Sequence, residues 1–466
     1  MKSLRRVFAL ALLLSFSLVS FAQQPPLANR DWSKDHARHV VEWARDGVIY
    51  EIWERAFSPA GNFNGITARL DELKKTGVNI LWLMPVNPIG IKDHKGSIGS
   101  PYAVRNYYGI NPAYGTKADL QRLVNEAHKR GMKVILDVVL NHTSWDNKLI
   151  TEHPDFYRHN AAGKIIYPED WTDVAWLDYS NPKLRRYIIR MLKYWLTTYH
   201  VDGFRCDVAH FIPTDFWDEA RAELQKVDPN IFLLAEGHRP DEMVKAFDSD
   251  YSWPLLTAMN DVFEARKPAT EIAKTWQEEH DTFPQGTLHM RMSDDHDETR
   301  AIVRYGEQGA LAAQALVFTL DGIPLVYNGM EVGDSAESGA PALFEKVPII
   351  WGIAARRPEF PPFYQKMIAL RKSNPAILQG DVEWLKNSAA DTVITFLRKT
   401  AGEEVLVAIN TSSSSRHFTI SGVTPDGWSE ITPKYLEHPP EYPAMSGTTV
   451  DLQPWGFRIF RRGAVN

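Results

Sequence analysis

One cysteine, Cys206, occurs among 466 residues. That excludes an intramolecular disulfide and any Cys-rich metal site, so the folded chain has to rest on a large buried core. An excess of cations is also lacking: 52 Lys and Arg stand against 58 Asp and Glu, a formal net charge of −6. A chain with no basic stripe is a poor partner for nucleic acid. Long apolar runs are missing too, with one exception at the amino end. There Lys2, Arg5 and Arg6 precede the apolar run 7–19, and Ser20-Phe21-Ala22 offers the small residues that a signal peptidase reads. The run falls short of the roughly 20 residues needed to span a bilayer. Residues 1–22 are therefore expected to be a cleaved export signal, sending the chain to the periplasm or the cell exterior without a membrane attachment. Cleavage removes three positive charges and no negative ones, taking the net charge from −6 to −9. Nothing in the sequence specifies an oligomeric state.

What is present is an alternation of short apolar β-rich runs with helical stretches. Residues 48–57 and 79–86 read as the first two strands, with an amphipathic helix over 66–76 that stops at Gly77. Leu120, Leu123, Val124 and Ala127 recur at helical spacing and place the next helix at 118–130. Residues 133–140 form a nearly unbroken apolar strand, the kind buried on both faces of a parallel sheet. Pro182 opens a long helix to Tyr199. Strands four and five follow at 201–208 and 231–235, a sixth is placed at 246–251, and two more at 287–292 and 324–327; a helix near 363–372 closes the series. Eight such units over residues 23–375 predict a (β/α)8 barrel, with a short inserted loop, 143–175, after the third strand. From residue 376 the texture changes to short strands at 382–385, 392–398, 404–410, 416–420 and 456–461, separated by Gly, Ser, Asn and Pro turns. That predicts an antiparallel β-sandwich over 376–466.

In such a barrel the side chains at the carboxyl ends of the strands meet in one mouth. The ionisable and amide residues at those ends are Asp137, Asn141 and His142 after strand three, Arg205, Asp207 and His210 on strand four, Glu236 after strand five, and His296-Asp297 after strand seven. Arg205 and Asp207 are two apart and share a face of their strand, so the guanidinium is expected to keep Asp207 ionised. Glu236 follows an apolar approach, Phe232 to Ala235, that would favour a protonated carboxyl. One carboxylate held ionised and one held protonated is the pairing that glycoside hydrolysis needs. An isolated Arg-x-Asp would more often be a structural ion pair.

The combination resembles glycoside hydrolase family 13, the α-amylase family. Asp137-Val138-Val139-Leu140-Asn141-His142 is similar to the family's first conserved region and Gly203-Phe204-Arg205-Cys206-Asp207 to its second. Ala235-Glu236 is similar to the third, Asp294-Asp295-His296-Asp297 to the fourth, and Trp176-Leu177-Asp178-Tyr179 to the motif that closes the loop after strand three. The resemblance implies a retaining hydrolase of α-glucosidic bonds, mainly α-1,4, in starch-derived glucans or maltooligosaccharides, with no required cofactor. α-Glucosidase, cyclomaltodextrinase or transglycosylase activity would be close variants. A catalytically silent glucan-binding relative would usually have lost one of three carboxylates, all of which are here. By the same resemblance Asp207 would be the nucleophile, Glu236 the general acid/base and Asp297 the stabiliser of the distorted transition state. Arg205 would orient Asp207, His142 and His296 would bind the sugar, Tyr102 would stack on it, and Asp137 would support the site from beneath.

Four positions depart from the family pattern. Asp295 stands where Asn is usual, and a second carboxylate there would raise Asp297 by like-charge repulsion. Asn106 stands where Asp is common, and His210 where a Lys often contacts the leaving-group side. Asn141 resembles a ligand of calcium-binding members, and the acidic loop 169–178 could supply further oxygens, yet Phe211 replaces a His that commonly contributes a carbonyl. The short 143–175 loop should leave an open cleft, with Trp145, Trp171 and Trp176 as either sugar platforms or packing.

Overall fold

The computed structural model describes residues 30–442 and 445–463; the expected signal, 1–22, lies outside them. Eight short parallel strands form the first layer: β1 (Ile49–Ile52), β2 (Ile80–Leu83), β3 (Lys133–Val139), β4 (Gly203–Asp207), β5 (Phe232–Ala235), β6 (Ser249–Asp250), β7 (Met290–Arg291) and β8 (Ile323–Tyr327). They pair in the order β6-β5-β4-β3-β2-β1-β8-β7, and a parallel bridge from Tyr251 to Met290 joins the two ends. The barrel is therefore the one that the alternation predicted. Ile49, Ile80, Trp82, Ile135, Leu234 and Met290 fill its interior, while the opposite faces of the same strands meet the surrounding helices.

Local chemistry explains the helix limits. Thr116 and Asp119 make a reciprocal capping box ahead of Lys117–Lys129. Asn181 caps Pro182–Tyr199, which opens on proline, and His200 ends it in a left-handed conformation. Two expectations change. The run 48–57 is a strand only to Ile52, after which Glu54–Phe57 is a helical turn. The helix expected over 66–76 is two pieces, Phe63–Thr67 and Leu70–Thr76, the second ending at Gly77 with φ +102°.

After β3 the chain forms a two-stranded ribbon, His142–Ser144 with Val174–Trp176, around the short helix Leu149–Glu152. This is the short insertion expected there. The carboxyl-terminal part is two antiparallel sheets. One holds β9 (Asp381–Trp384), β10 (Val393–Lys399), β11 (Glu403–Asn410), β13 (Ser429–Glu430) and β15 (Phe457–Gly463); the other pairs β12 (Arg416–Thr419) with β14 (Thr449–Leu452). Val393, Leu397, Leu406, Phe418, Val450 and Phe460 pack between the sheets. The outer face of the larger sheet, with Phe396, Val407 and Ile459, joins the core of the barrel and its helices. Buried Arg398 ties the two parts together, donating to the carbonyls of Thr319 at 2.8 Å and Gly380 at 2.7 Å. Among the described residues no helix is long and apolar enough to cross a membrane.

Candidate active site

The site begins with strand register. Asp137 on β3 lies directly beside Arg205 on β4, and Val139 beside Asp207. Arg205, 1% exposed, gathers the carboxylates: its Nη1 meets Asp137 Oδ1 and Asp207 Oδ1, each at 2.9 Å, and its Nη2 meets Glu236 Oε2 at 2.9 Å. Its Nε donates to the Tyr251 hydroxyl at 3.1 Å, and Trp82 donates its indole N–H to Asp137 at 3.3 Å. Three carboxyl groups thus surround one guanidinium at the end of the barrel core.

Directly after Asp207 the backbone turns sharply. Val208 has φ +37°, a left-handed conformation that a β-branched residue enters only under constraint from its surroundings. The turn points the Val208 N–H at Glu236 Oε2, 2.7 Å away. Glu236 is therefore held by a cation and a backbone donor. The apolar residues before it, Phe232 to Ala235, are buried in the core. The expectation for Asp207 changes as well. Burial and the neighbouring charge of Glu236 push its carboxyl well above the usual range, against the pull of Arg205.

Asp297 and His296 close the opposite side. The side chain of Asp297 is 38% exposed, against 9% for Asp207 and 12% for Glu236, so it is the carboxylate that projects farthest into the cleft. Burial raises it, but the His296 ring, 3.2 Å away, outweighs that and holds it below the usual range. His296 Nδ1 lies 2.5 Å from Glu51 Oε1 and its Nε2 lies 2.7 Å from the Tyr102 hydroxyl. Burial alone would lower the imidazole; the charges of Asp297 and Glu51 hold it well above its ordinary value, as a cation. Tyr102 donates to Asp137 at 3.1 Å and stacks on His296 with ring centroids 5.5 Å apart.

His142 is neutral, its pKa lowered by burial to about 4. The Asn141 amide N–H donates to its Nδ1 at 3.3 Å, which places the proton on Nε2. His210 donates its Nδ1–H to the Glu236 carbonyl at 3.1 Å. All the residues expected at strand ends therefore come together, and one more joins them. Glu51 belongs to no motif in the sequence; its one signal there is a lone carboxylate inside the apolar strand Ile49–Ile52, two residues after the core-facing Ile49.

The departures also resolve. Asp295 is fully buried; its Oδ1 accepts the N–H groups of Asp297 and Glu298 at 2.9 and 3.1 Å, and its Oδ2 has no partner. Burial, with the charges of Asp297 and Glu51, pushes it well above the usual range. Asp295 is thus the carboxyl that gives up its charge, and the expected repulsion of Asp297 does not arise. Asn106 is exposed and accepts the Tyr108 N–H at 3.0 Å within its own turn. Of the oxygens considered for calcium, the Asn141 amide oxygen accepts the Trp176 indole N–H at 3.0 Å, and Asp173 of the acidic loop pairs with Lys95 at 3.2 Å. Trp176 is buried under Arg158 and Trp145 bonds the Thr172 carbonyl, so both are packing. Trp171 is half-buried and packs edgewise on His142 and Phe211.

Residues 28–347 match the model of the α-amylase catalytic domain. Over 418 residues the chain is 27% identical to α-amylase 2 of Dictyoglomus thermophilum, covering 82% of this chain and 72% of that one. It is 26% identical over 422 residues to a cyclomaltodextrinase of Thermoanaerobacter pseudethanolicus, covering 80% and 71%. Among solved structures, a maltogenic α-amylase from Thermotoga neapolitana superposes with a TM-score of 0.81 at 29% identity, covering 90% of this chain and 99% of that one. With the family model matching most of the chain and the barrel closed around three carboxylates, this protein belongs to the α-amylase family, glycoside hydrolase family 13, and is a glycoside hydrolase.

Proposed function

We propose that the chain hydrolyses α-1,4 bonds of maltooligosaccharides and related starch-derived glucans with retention of configuration, through Asp207, Glu236 and Asp297. The observation that carries this reading is the pair of Arg205 contacts: Asp207 and Glu236 hang from the two terminal nitrogens of one guanidinium. Retaining enzymes need their carboxyls only about 5–5.5 Å apart, whereas inverting enzymes leave room for a water between them. The Arg205 tether favours the close arrangement.

In the first step a carboxylate oxygen of Asp207 attacks the anomeric carbon, and the bond to the glycosidic oxygen breaks. Glu236 gives that oxygen a proton. The Val208 N–H holds one Glu236 oxygen, Oε2, during the transfer, so the proton passes from the other. In the second step Glu236 takes a proton from water, whose oxygen attacks the same carbon and releases Asp207. Asp297, held ionised by His296, faces the positive charge that develops on the sugar ring in both steps. His142 Nε2–H donates to a sugar hydroxyl, Tyr102 supplies an apolar face, and His210 holds the Glu236 backbone.

The names of the relatives, cyclomaltodextrinase and maltogenic α-amylase among them, extend the proposed substrate range to cyclodextrins. Incubation with maltoheptaose, pullulan and β-cyclodextrin is expected to give short maltooligosaccharides with the α-anomer formed first by NMR. Glu236→Gln mixed with an activated glycosyl fluoride should trap a glycosyl ester on Asp207, visible by peptide mass spectrometry. First-formed β-anomer, or an ester on another residue, would overturn the assignment. Export is part of the proposal, and the mature chain should begin after Ala22 by amino-terminal sequencing.

A further inference from the structure

A second cluster lies on the outside of the barrel wall. One ligand atom from each of His238, Glu279 and His289 lies within 4.8 Å of the others. They come from three elements: the turn after β5, the helix Thr270–Thr282, and the residue before β7. Strand alternation sets the direction. Tyr251 and Met290 point into the barrel core, so their neighbours Asp250 and His289 point outward to the helix layer.

Both imidazoles are already oriented through Nδ1. That of His289 lies 2.5 Å from Asp250 Oδ1. That of His238 lies 3.1 Å from the Tyr251 carbonyl and 3.4 Å from Asp250 Oδ2. A ring whose Nδ1–H is donated to oxygen presents the lone pair of Nε2, and a carboxylate behind the ring is the usual support of a metal-bound histidine. Glu279 is fixed by Arg291 at 2.5 Å and by the Ser252 hydroxyl, one on each oxygen, and each oxygen keeps a lone pair. With neutral imidazoles, Asp250, Glu279 and Asp321 against Arg291 and Arg398 leave one negative charge, which attracts a cation. A cavity of about 570 Å³ has Glu279, Phe283 and His289 in its wall.

We propose that His238, Glu279 and His289 bind a zinc ion, with Asp250 orienting both imidazoles. Two imidazole nitrogens and one carboxylate oxygen with a free fourth position are a donor set that zinc takes in tetrahedral geometry. The ion would pin the turn after β5 to β6, β7 and their outer helix. Without an ion the same groups would be only an ion-pair network.

The full chain, stripped with chelator and reloaded with zinc, is expected to retain one zinc per molecule after gel filtration, measured by elemental analysis. Cobalt(II) in its place should give the intense visible bands of a tetrahedral site. His238→Gln and Glu279→Gln, checked for folding by circular dichroism, should each weaken zinc binding at least about tenfold. Excess zinc should raise the melting temperature of the wild type by ~2–5 °C and leave His238→Gln unmoved. A folded wild type that retains no stoichiometric zinc, a six-coordinate cobalt spectrum, or full zinc retention by His238→Gln overturns the proposal.

Discussion

Asp295→Asn separates two readings of the carboxyl beside Asp297. If Asp295 were charged, the substitution would relieve repulsion and move the pH–rate profile through Asp297. The structure argues otherwise, because burial strips Asp295 of its charge and its working oxygen, Oδ1, is an acceptor that Asn reproduces. The sign of the stability effect follows. An acid whose folded pKa lies well above its unfolded value makes folding take up a proton, so wild-type stability falls as pH rises from about 4–5 toward the folded pKa. Asparagine has no proton to take up. The variant should therefore gain on the wild type by about 1.4 kcal/mol for each pH unit across that window. Its amide N–H2 still occupies the unpartnered side of the residue, which costs on the order of 1–3 kcal/mol at every pH. Thermal unfolding at pH 5 and pH 8, followed by calorimetry, reads the difference directly. The gap between variant and wild type should widen in the variant's favour between the two, and the pH–rate profiles should coincide. An equal gap at both pH values would refute the neutral carboxyl, and a displaced acid limb would restore the repulsion.

Glu51→Gln removes the anion behind His296 while preserving its size; kcat/KM should fall roughly 10–100-fold, with the alkaline limb moved to lower pH, because a charged group's hydrogen bond contributes about 1.5–3 kcal/mol. An alkaline limb that stays in place would show that the His296 cation is not required. His142, lowered from 6.5 to about 4 by burial, binds protons better in the unfolded chain, so it contributes a loss of stability as pH falls from 6.5 toward 4. His142→Gln should flatten that loss by about 3 kcal/mol in unfolding measured at pH 7 and pH 4. Trp171→Ala, in the loop beside His142, should raise KM for maltoheptaose roughly 2–10-fold with kcat little changed; an unchanged KM would make it packing only. Arg398→Met leaves the Thr319 and Gly380 carbonyls without their donor, and should cost about 2–4 kcal/mol with separate melting of the carboxyl-terminal sheets in calorimetry.

The barrel was legible because parallel strands buried on both faces read as unbroken apolar runs, and because helix ends carry their own chemistry in Thr116, Asn181 and Gly77. The strand-end rule found Asp137, Arg205, Asp207, Glu236 and Asp297 for the same reason: a barrel delivers strand ends to one mouth whatever lies between them. The short strands β13 and β14 went unread. Ser429 and Glu430 are both exposed, so no apolar residue marks that strand, and Thr449–Leu452 alternates over only two buried positions, Val450 and Leu452. Protonation was a different matter. An Arg two residues from Asp207 suggested a simple ion pair, yet the same guanidinium serves Asp137, Asp207 and Glu236, and burial reverses the expected shift. Residue type and order, then, determined the fold, the family and the three carboxylates. Which carboxyl is charged, the tie of Glu51 to His296, the Val208 turn and the zinc-fitting cluster were decided by tertiary structure alone, because charge depends on burial and on neighbours that lie far apart along the chain.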